Sequence, residues 1–398
     1  MSRKLRIAIV AGEESGDLLG ADLVFALAAR TGDRPELAGV GGRHLSAVGL
    51  SSLFDSHDIA LVGIASVIRD LPRLVRRIGA TVDAIVAWRP DVLVTIDSPE
   101  FSLRVASRVR AKAPSIPIVH YVCPSVWAWR PGRASAMRPY VDRILCLLPF
   151  EPLELDRLGG PPATFVGHRL SRDPGMLEAQ RAQATRNDAL RDQRPVLLLL
   201  PGSRRAEVEG LLTVFREAAE ALPALGVDPR VVIPTLPGVE QIVRRSVAAW
   251  RNQPEVVVGV DGKWRAFREA TAALAASGTV TLELALAGVP LVSCYRLDPL
   301  ARMLGPFVFK SWSASLPNLI SGRFVVPEVY LPFLRADILA RHIEPLLKPT
   351  KLREWQLDGF VEVRERLDAG RPAGEIAAQA VLETLASGAK AGGFTASR

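Results

Sequence analysis

Asp97 closes an apolar run, Asp91–Ile96, and is followed by Ser98 and Pro99. Proline suits the first position of a helix and serine the cap before it, so capping leaves Asp97 unclaimed at a strand end. A carboxylate there has the reach of a general base toward an attacking hydroxyl, and equally the profile of a structural aspartate. A second polar loop, Gly12-Glu13-Glu14-Ser15-Gly16-Asp17, follows the run Leu5–Ala11. Its glycines permit close backbone approach, but the loop is acidic and lacks the GxGxxG spacing of a dinucleotide site. Sugar hydroxyls therefore suit it better than a pyrophosphate. Ser15 as a helix cap and Asp17 as a complement to the helix dipole account for the same residues structurally.

Two further loops have the character of an anion site. Pro201-Gly202-Ser203-Arg204 follows the run Val196–Leu200 and opens a helix that includes Glu207. A glycine turn, a hydroxyl and an arginine at a helix N-terminus attract negative charge. Ala276-Ser277-Gly278-Thr279 precedes the helical stretch Val280–Gly288, and its small residues expose backbone N–H groups to a diphosphate. Glu283 does not stand at the capping-box offset from Ser277 or Thr279, which frees its carboxylate for ribose hydroxyls. Each loop alone is a weak signal, because Gly-Ser turns are common. In one domain they reinforce each other.

Two apolar features also ask for a role. His120-Tyr-Val-Cys-Pro-Ser-Val-Trp-Ala-Trp-Arg130 carries two tryptophans beyond the apolar run Ile116–Val122. It is either a surface that something flat docks on or, from the period-2 spacing of Trp127 and Trp129, the buried face of a short extended segment. Ile64, Val67, Ile68, Leu71, Leu74, Val75 and Ile78 follow helical spacing, with Arg69, Arg73, Arg76 and Arg77 between them and Pro72 expected to weaken a continuous helix or kink it. Core packing is the default for such a stripe; an interfacial helix on anionic lipid is the sharper reading.

The elements that must position these residues are strands alternating with helices. Apolar runs at Leu5–Ala11, Asp91–Ile96, Ile116–Val122, Arg143–Leu148 and Ala163–Val166 form one series. Val196–Leu200, Arg230–Pro234, Glu255–Val258, Ala272–Ala276 and Pro290–Tyr295 form another, after a polar stretch from Ser171 to Arg194 that reads as a bridge. Such alternation predicts parallel sheets covered on both faces: an α/β protein with two doubly wound, Rossmann-like domains facing a cleft. The expected boundaries are 1–172, 190–350, a C-terminal helical segment at 351–386 and a disordered tail at 387–398. With 398 residues, 48% hydrophobic and 23% charged, the chain is an ordinary multidomain globular protein. Three cysteines without metal-ligand spacing fit a reducing compartment. The start is too short in apolar residues for a signal peptide, and no apolar run is long enough to span a bilayer, so a cytoplasmic location is expected. The net charge of +8 favours an anionic partner. No nucleic-acid module is recognisable, which leaves phosphate or an acidic membrane surface.

Taken in order, AGEESGD (Ala11–Asp17), GVGG (Gly39–Gly42), PDVLVTIDSPEF (Pro90–Phe101), HYVCPSVWAWR, LPFE (Leu148–Glu151), VGH (Val166–His168), LLPGSRRAEV (Leu199–Val208), ASGTVTLE (Ala276–Glu283), YR (Tyr295–Arg296) and SLPNL (Ser315–Leu319) cover most of the chain. The chain resembles the lipid-A-disaccharide synthase family of GT-B glycosyltransferases. That resemblance implies an inverting transfer of 2,3-diacylglucosamine from its UDP donor to the 6-hydroxyl of 2,3-diacylglucosamine 1-phosphate, forming the β-1,6 disaccharide and releasing UDP. By matching motif it implies Asp97 as the base, with Glu13, Ser15 and Asp17 on the acceptor side. It implies donor contacts from Ser203, Arg204, Glu207, Ser277, Gly278, Thr279, Glu283 and Asn318. The family needs no cofactor or metal, and no D-x-D triplet occurs in the chain. The resemblance makes 1–172 the acceptor- and membrane-facing domain and 190–350 the UDP-sugar-binding domain. It turns the Ile64–Ile78 stripe into a seat on the anionic inner face of the inner membrane. The family also exchanges C-terminal segments between subunits, which raises a homodimer that the residues themselves do not decide.

Some positions depart from the family pattern. Glu100 and Ser102 differ from a common DAPDFN, Cys123 replaces a usual serine, and Leu331 stands where a glutamine is usual. The rival readings are another GT-B enzyme acting on UDP-N-acetylglucosamine and a catalytically impaired, membrane-associated UDP-sugar-binding protein.

Overall fold

The structure, a computed structural model, describes residues 3–55, 64–188, 194–295, 311–330 and 334–393, with the backbone alone for 64–71, 187–188 and 388–393. The chain divides into two compact units, one of residues up to Arg169 together with those from Ala369, the other Leu170–Asp368.

In the first unit β1 (Arg6–Ala11), α1 (Glu14–Thr31), β2 (Glu36–Val40), α2 (Arg43–Ala47), α3 (Ile64–Trp88), β3 (Val92–Ile96), α4 (Pro99–Lys112), β4 (Ile118–Tyr121), α5 (Gly132–Met137), β5 (Arg143–Cys146), α6 (Glu151–Arg157) and β6 (Ala163–Phe165) follow in order. The strands form a parallel sheet in the order β2-β1-β3-β4-β5-β6. Parallel strands are covered on both sides, which is why they read as unbroken apolar runs. Alternate residues of β1 serve the two faces. Ile7, Ile9 and Ala11 pack with Leu19, Leu23 and Leu27 of α1, whereas Ala8 and Val10 pack with Ile78 and Val82 of α3 and Val105 of α4.

The second unit holds α7 (Pro174–Asp188), β7 (Val196–Leu200), α8 (Arg205–Ala221), β8 (Arg230–Thr235), α9 (Glu240–Val247), β9 (Glu255–Val258), α10 (Gly259–Glu269), β10 (Ala272–Ala276), α11 (Thr279–Ala287), β11 (Leu291–Tyr295) and β12 (Glu328–Tyr330). Its parallel sheet runs β12-β11-β10-β7-β8-β9, the order of a doubly wound dinucleotide fold. The expected fold class, α/β with a doubly wound sheet in each half, is what the chain adopts. Two short strands were not anticipated: β2, which contains Gly39, and the three-residue β12.

The polar stretch from Ser171 to Arg194 is more than a bridge, because Pro174–Asp188 is a helix of the second unit. Met176, Ala179 and Gln183 give it a buried face at helical spacing. A Cβ at Gly175 would meet the Trp264 ring at 2.4 Å, so α7 and α10 approach closely there. The C-terminal helices separate. Lys351–Leu367 belongs to the second unit, whereas Ala373–Gly393 returns to the first, where Ala377, Ala378 and Val381 join the α1 side of the core. Its backbone stays helical to Gly393, past the composition change at Ser387.

Candidate active site

In each sheet the strand order reverses beside one strand, and ligands of open α/β sheets gather at the carboxyl ends on either side of that reversal. In the first unit the reversal lies between β1 and β3, which pair from Ile7↔Val92 to Ala11↔Ile96. Beyond these ends lie Gly12–Glu13 with the first turn of α1, whose cap position is Glu13 rather than Ser15, and Asp97–Ser98, so the two polar segments singled out in the sequence meet. Asp97 has φ 50 and Ser98 φ 44, a left-handed conformation that residues with a Cβ rarely adopt. The turn is held by Asp97 N–H donating to Tyr121 O at 2.9 Å and by Ser102 Oγ donating to the Asp97 and Ser98 carbonyls. Ser98 caps α4 without a side-chain bond, since its hydroxyl turns to Glu13 Oε1 at 3.3 Å. Asp97 Oδ1 accepts from Ser98 N–H at 2.8 Å, and the Ser15 hydroxyl also bonds the carboxylate. Burial raises the Asp97 pKa against these two lowering hydrogen bonds. Such a carboxylate is more basic than a free aspartate and is held in one place.

Asp17 has a different position. It is 2% exposed, and its oxygens accept from the N–H groups of Gly42 at 2.6 Å, His44 at 2.7 Å and Leu45 at 3.2 Å. The acid of AGEESGD thus caps α2 and fixes the GVGG turn. Gly42 has no room for a Cβ, which would lie 2.9 Å from Asp17 Oδ2, and at Gly39 (φ 128) it would lie 2.0 Å from Ile9 O. Glu13 and Ser15 are exposed at the loop, while Asp17 holds the floor beneath them.

The aromatic segment is a turn, and neither sequence reading describes it fully. Val122 has φ 76 and Arg130 φ 53. Trp127 is half-buried, donates its indole N–H to Glu151 Oε1 at 3.3 Å and meets the Phe150 ring edge-on at 5.2 Å. Trp129 is exposed, with the Arg130 guanidinium 4.3 Å from its ring centre. Glu151 is 4% exposed, also accepts from Leu148 N–H at 3.0 Å, and is pushed by burial up to a pKa of about 8. At the base of the segment, His120 is buried with Nδ1 2.9 Å from Thr95 Oγ1, and burial drives its pKa down to about 3. It is therefore a neutral imidazole. The sequence reading missed Glu151 and the Thr95–His120 pair because their partners lie on other strands and loops.

In the second unit the reversal lies between β7 and β10, and the loops at their carboxyl ends are Pro201–Arg204 and Ser277–Gly278. Glu207 Oε2 accepts from the N–H groups of Ser203 at 3.0 Å and Arg204 at 3.2 Å, while Oε1 pairs with Arg204 Nη1 at 3.1 Å. A Cβ at Gly202 (φ 113) would meet Glu207 Oε2 at 2.4 Å. Glu207 therefore shapes the turn, and the exposed Ser203 and Arg204 present it. Ser277 Oγ donates to Ala314 O at 2.8 Å, and among the described residues no side chain caps α11 at Gly278, a helix start of the kind that attracts anions. One turn further, Glu283 Oε2 pairs with Lys263 Nζ at 3.0 Å. Lys263, on α10, is a partner of Glu283 that sequence pattern gave no signal for. Asn318 is fully buried: Nδ2 donates to Val326 O at 3.0 Å, and Oδ1 accepts from the N–H groups of Val325 and Val326 at 2.8 Å and 2.7 Å. Its amide is committed to the backbone that leads into β12.

Of the Ile64–Ile78 stripe, the side chains of Ile64, Val67, Ile68, Arg69 and Leu71 lie outside the described residues, as do Arg296 and Leu331. The α3 backbone continues through Pro72. Leu74 and Ile78 are core residues, Arg73, Val75 and Arg76 are exposed, and the Arg77 guanidinium stacks 4.5 Å from the Phe54 ring centre. The described part of the stripe, from Arg73 to Ile78, is thus core on one side and basic on the other. Among the described residues no helix is long and apolar enough to cross a membrane.

A family model for lipid-A-disaccharide synthetase matches residues 7–372. A lipid-A-disaccharide synthase from Nitrobacter hamburgensis is 47% identical over 381 residues, covering 96% of each chain. This chain belongs to the lipid-A-disaccharide synthetase family. Among solved structures, a UDP-GlcNAc 2-epimerase from Neisseria meningitidis bound to UDP-GlcNAc superposes with a TM-score of 0.61 at 12% identity, covering 96% of this chain and all (100%) of that one. A glycotransferase of kitacinnamycin does so with a TM-score of 0.61 at 17% identity and the same coverage. At such identities these two structures speak for the fold alone, and the lipid-A-disaccharide synthetase assignment rests on sequence. Within that family assignment, the chain is a glycosyltransferase of lipid A biosynthesis. The match spans both switch-point loop pairs, from AGEESGD to SLPNL.

Proposed function

We propose that the chain joins UDP-2,3-diacylglucosamine to 2,3-diacylglucosamine 1-phosphate, with acceptor chemistry on the first unit and donor binding on the second. Asp97 takes the proton from the acceptor 6-hydroxyl as its oxygen attacks the anomeric carbon of the donor. The bond to UDP breaks on the opposite face, giving the β-1,6 linkage. The observation that carries this reading is Asp97 itself: a carboxylate with a raised pKa, held at a strand-order reversal beside exposed Glu13 and Ser15. Removing burial's penalty by losing its charge to a proton favours the base role. Arg204 and the uncapped start of α11 answer the charge that develops on the departing diphosphate, and the Glu283–Lys263 pair offers the ribose a carboxylate of fixed position. Glu207 and Asn318 support this site through the backbone they hold.

Incubation of the purified protein with both substrates, without added metal, is expected to yield the disaccharide 1-phosphate and UDP by mass spectrometry. Donor binding without product would favour the impaired-binder reading instead. We place the protein at the inner face of the inner membrane through the basic side of α3, since both substrates carry acyl chains.

A further inference from the structure

The first unit carries a cavity of about 490 Å3 between α4 and α5, with Glu100, Arg104, Arg108, Arg130, Arg133 and Tyr140 in its wall. Four guanidiniums face a single carboxylate. Arg104 reaches Glu100 Oε2 at 3.3 Å, Arg130 reaches Oε1 at 3.4 Å, and Arg133 makes a closer contact with that same Oε1. Arg108 has no ion-pair partner among the described residues. One carboxylate cannot neutralise this group, so the cavity keeps an excess of positive charge. Glu100 nonetheless holds three arginine forks together, which prearranges them for an incoming anion. The side chains of Arg104 and Arg130 are 50% and 56% exposed, so a ligand can reach them.

A phosphate monoester fits this wall better than a carboxylate. It carries nearly two negative charges and three terminal oxygens, and planar guanidinium forks match it in bidentate pairs. Tyr140, whose pKa burial raises, adds a protonated hydroxyl at the same wall. Pro99 also lines the cavity, two residues beyond Asp97 in the first turn of α4. In a hexosamine the carbon that bears the 6-hydroxymethyl group and the anomeric carbon both adjoin the ring oxygen, so the 6-hydroxyl and the anomeric oxygen lie within the width of one sugar ring. A sugar with the first at Asp97 therefore brings a substituent on the second toward a neighbouring wall.

We propose that the cavity between α4 and α5 binds the anomeric phosphate of the acceptor and so selects a phosphorylated acceptor over a free sugar. The inference rests on the acceptor reading above.

The test compares 2,3-diacylglucosamine 1-phosphate with its dephosphorylated form as acceptors, for the unaltered protein and for Arg104→Gln/Arg108→Gln. The ratio of kcat/KM between the two acceptors is expected to fall about tenfold or more in the variant, mainly through the KM of the phosphorylated acceptor. Arg104→Lys/Arg108→Lys should recover part of it. A ratio unchanged in the Gln variant overturns the proposal. So does a loss of binding to phosphatidylglycerol vesicles with the ratio intact, which would assign the cavity to a lipid headgroup. Calorimetric titration with the same two acceptors makes the comparison without turnover. If the unaltered protein forms no product but prefers the phosphorylated acceptor, and the Gln variant loses that preference, the cavity assignment stands and the reaction reading fails. A thermal melt matching the unaltered protein shows that the variant is folded.

Discussion

At the scale of single residues, four of the five non-glycine residues with positive φ among those described are Asp97, Ser98, Val122 and Arg130, all in loops beyond β3 and β4. Strain of this kind persists only where surrounding bonds over-determine it. Here the Tyr121 carbonyl and the Ser102 hydroxyl do so. Asp97→Asn keeps the shape and the Ser98 N–H contact but has no basic oxygen. Turnover is expected to fall about 10²–10⁴-fold with donor affinity retained; near-normal turnover in a single-turnover assay would remove Asp97 as the base. Because burial raises the pKa of Asp97, the acid limb of kcat should lie above the ordinary aspartate range, and the rate should rise with pH through it. Glu151 gives a stability signature instead. Its folded pKa of about 8 exceeds the unfolded value, so between the two the folded chain keeps a proton that the unfolded chain has lost. Its contribution is therefore lost as pH rises from roughly 4.5 toward 8, by up to ~1.4 kcal/mol per pH unit. Melting curves at pH 5.5 and 7.5 should diverge for the natural protein and draw together for Glu151→Gln. Equal pH dependence in both would mean that Glu151 is ionised in the folded state.

At the scale of elements, the strands that carry the site were legible because parallel strands buried on both faces leave unbroken apolar runs, and the polar loops stand out at their ends. The unread strands have physical reasons. β2 is an edge strand of Glu36–Val40 with only its last two residues buried, and β12 has three residues, so neither leaves such a run. The roles of Asp17 and Asn318 were beyond sequence for another reason. Local pattern shows a helix start, but the N–H groups that Asp17 serves lie 25 to 28 residues away. Likewise the expected donor contact at Asn318 rested on a motif, whereas its amide bonds a turn seven and eight residues on. Asp17→Ala is thus expected to strand three N–H groups at α2 and to cost about 2–4 kcal/mol. Urea unfolding followed by a probe in the first unit would measure it. Unchanged stability with lost turnover would instead make Asp17 a direct acceptor contact.

At the scale of the whole molecule, a net charge of +8 has to be reconciled with a glycosyltransferase whose proposed substrates are lipids. Charge of one sign steers a protein to an anionic surface without anchoring it, and acidic lipid attracts a nearby arginine with about 1 kcal/mol. The described part of α3 divides this task by residue: Leu74 and Ile78 hold the helix to the sheet, Arg77 stacks on Phe54, and Arg73, Val75 and Arg76 face outward. Replacing the outward arginines therefore tests attraction to lipid without touching the core. Arg73→Gln/Arg76→Gln should weaken sedimentation with phosphatidylglycerol vesicles by about 2 kcal/mol, roughly 30-fold, and leave the small binding to phosphatidylcholine vesicles alone. Added salt should bring the natural protein toward the variant, because exposed charges are screened beyond about a Debye length. Binding that ignores both the substitution and the salt would show that α3 does not meet the membrane, and that the excess charge acts on the phosphorylated substrates alone.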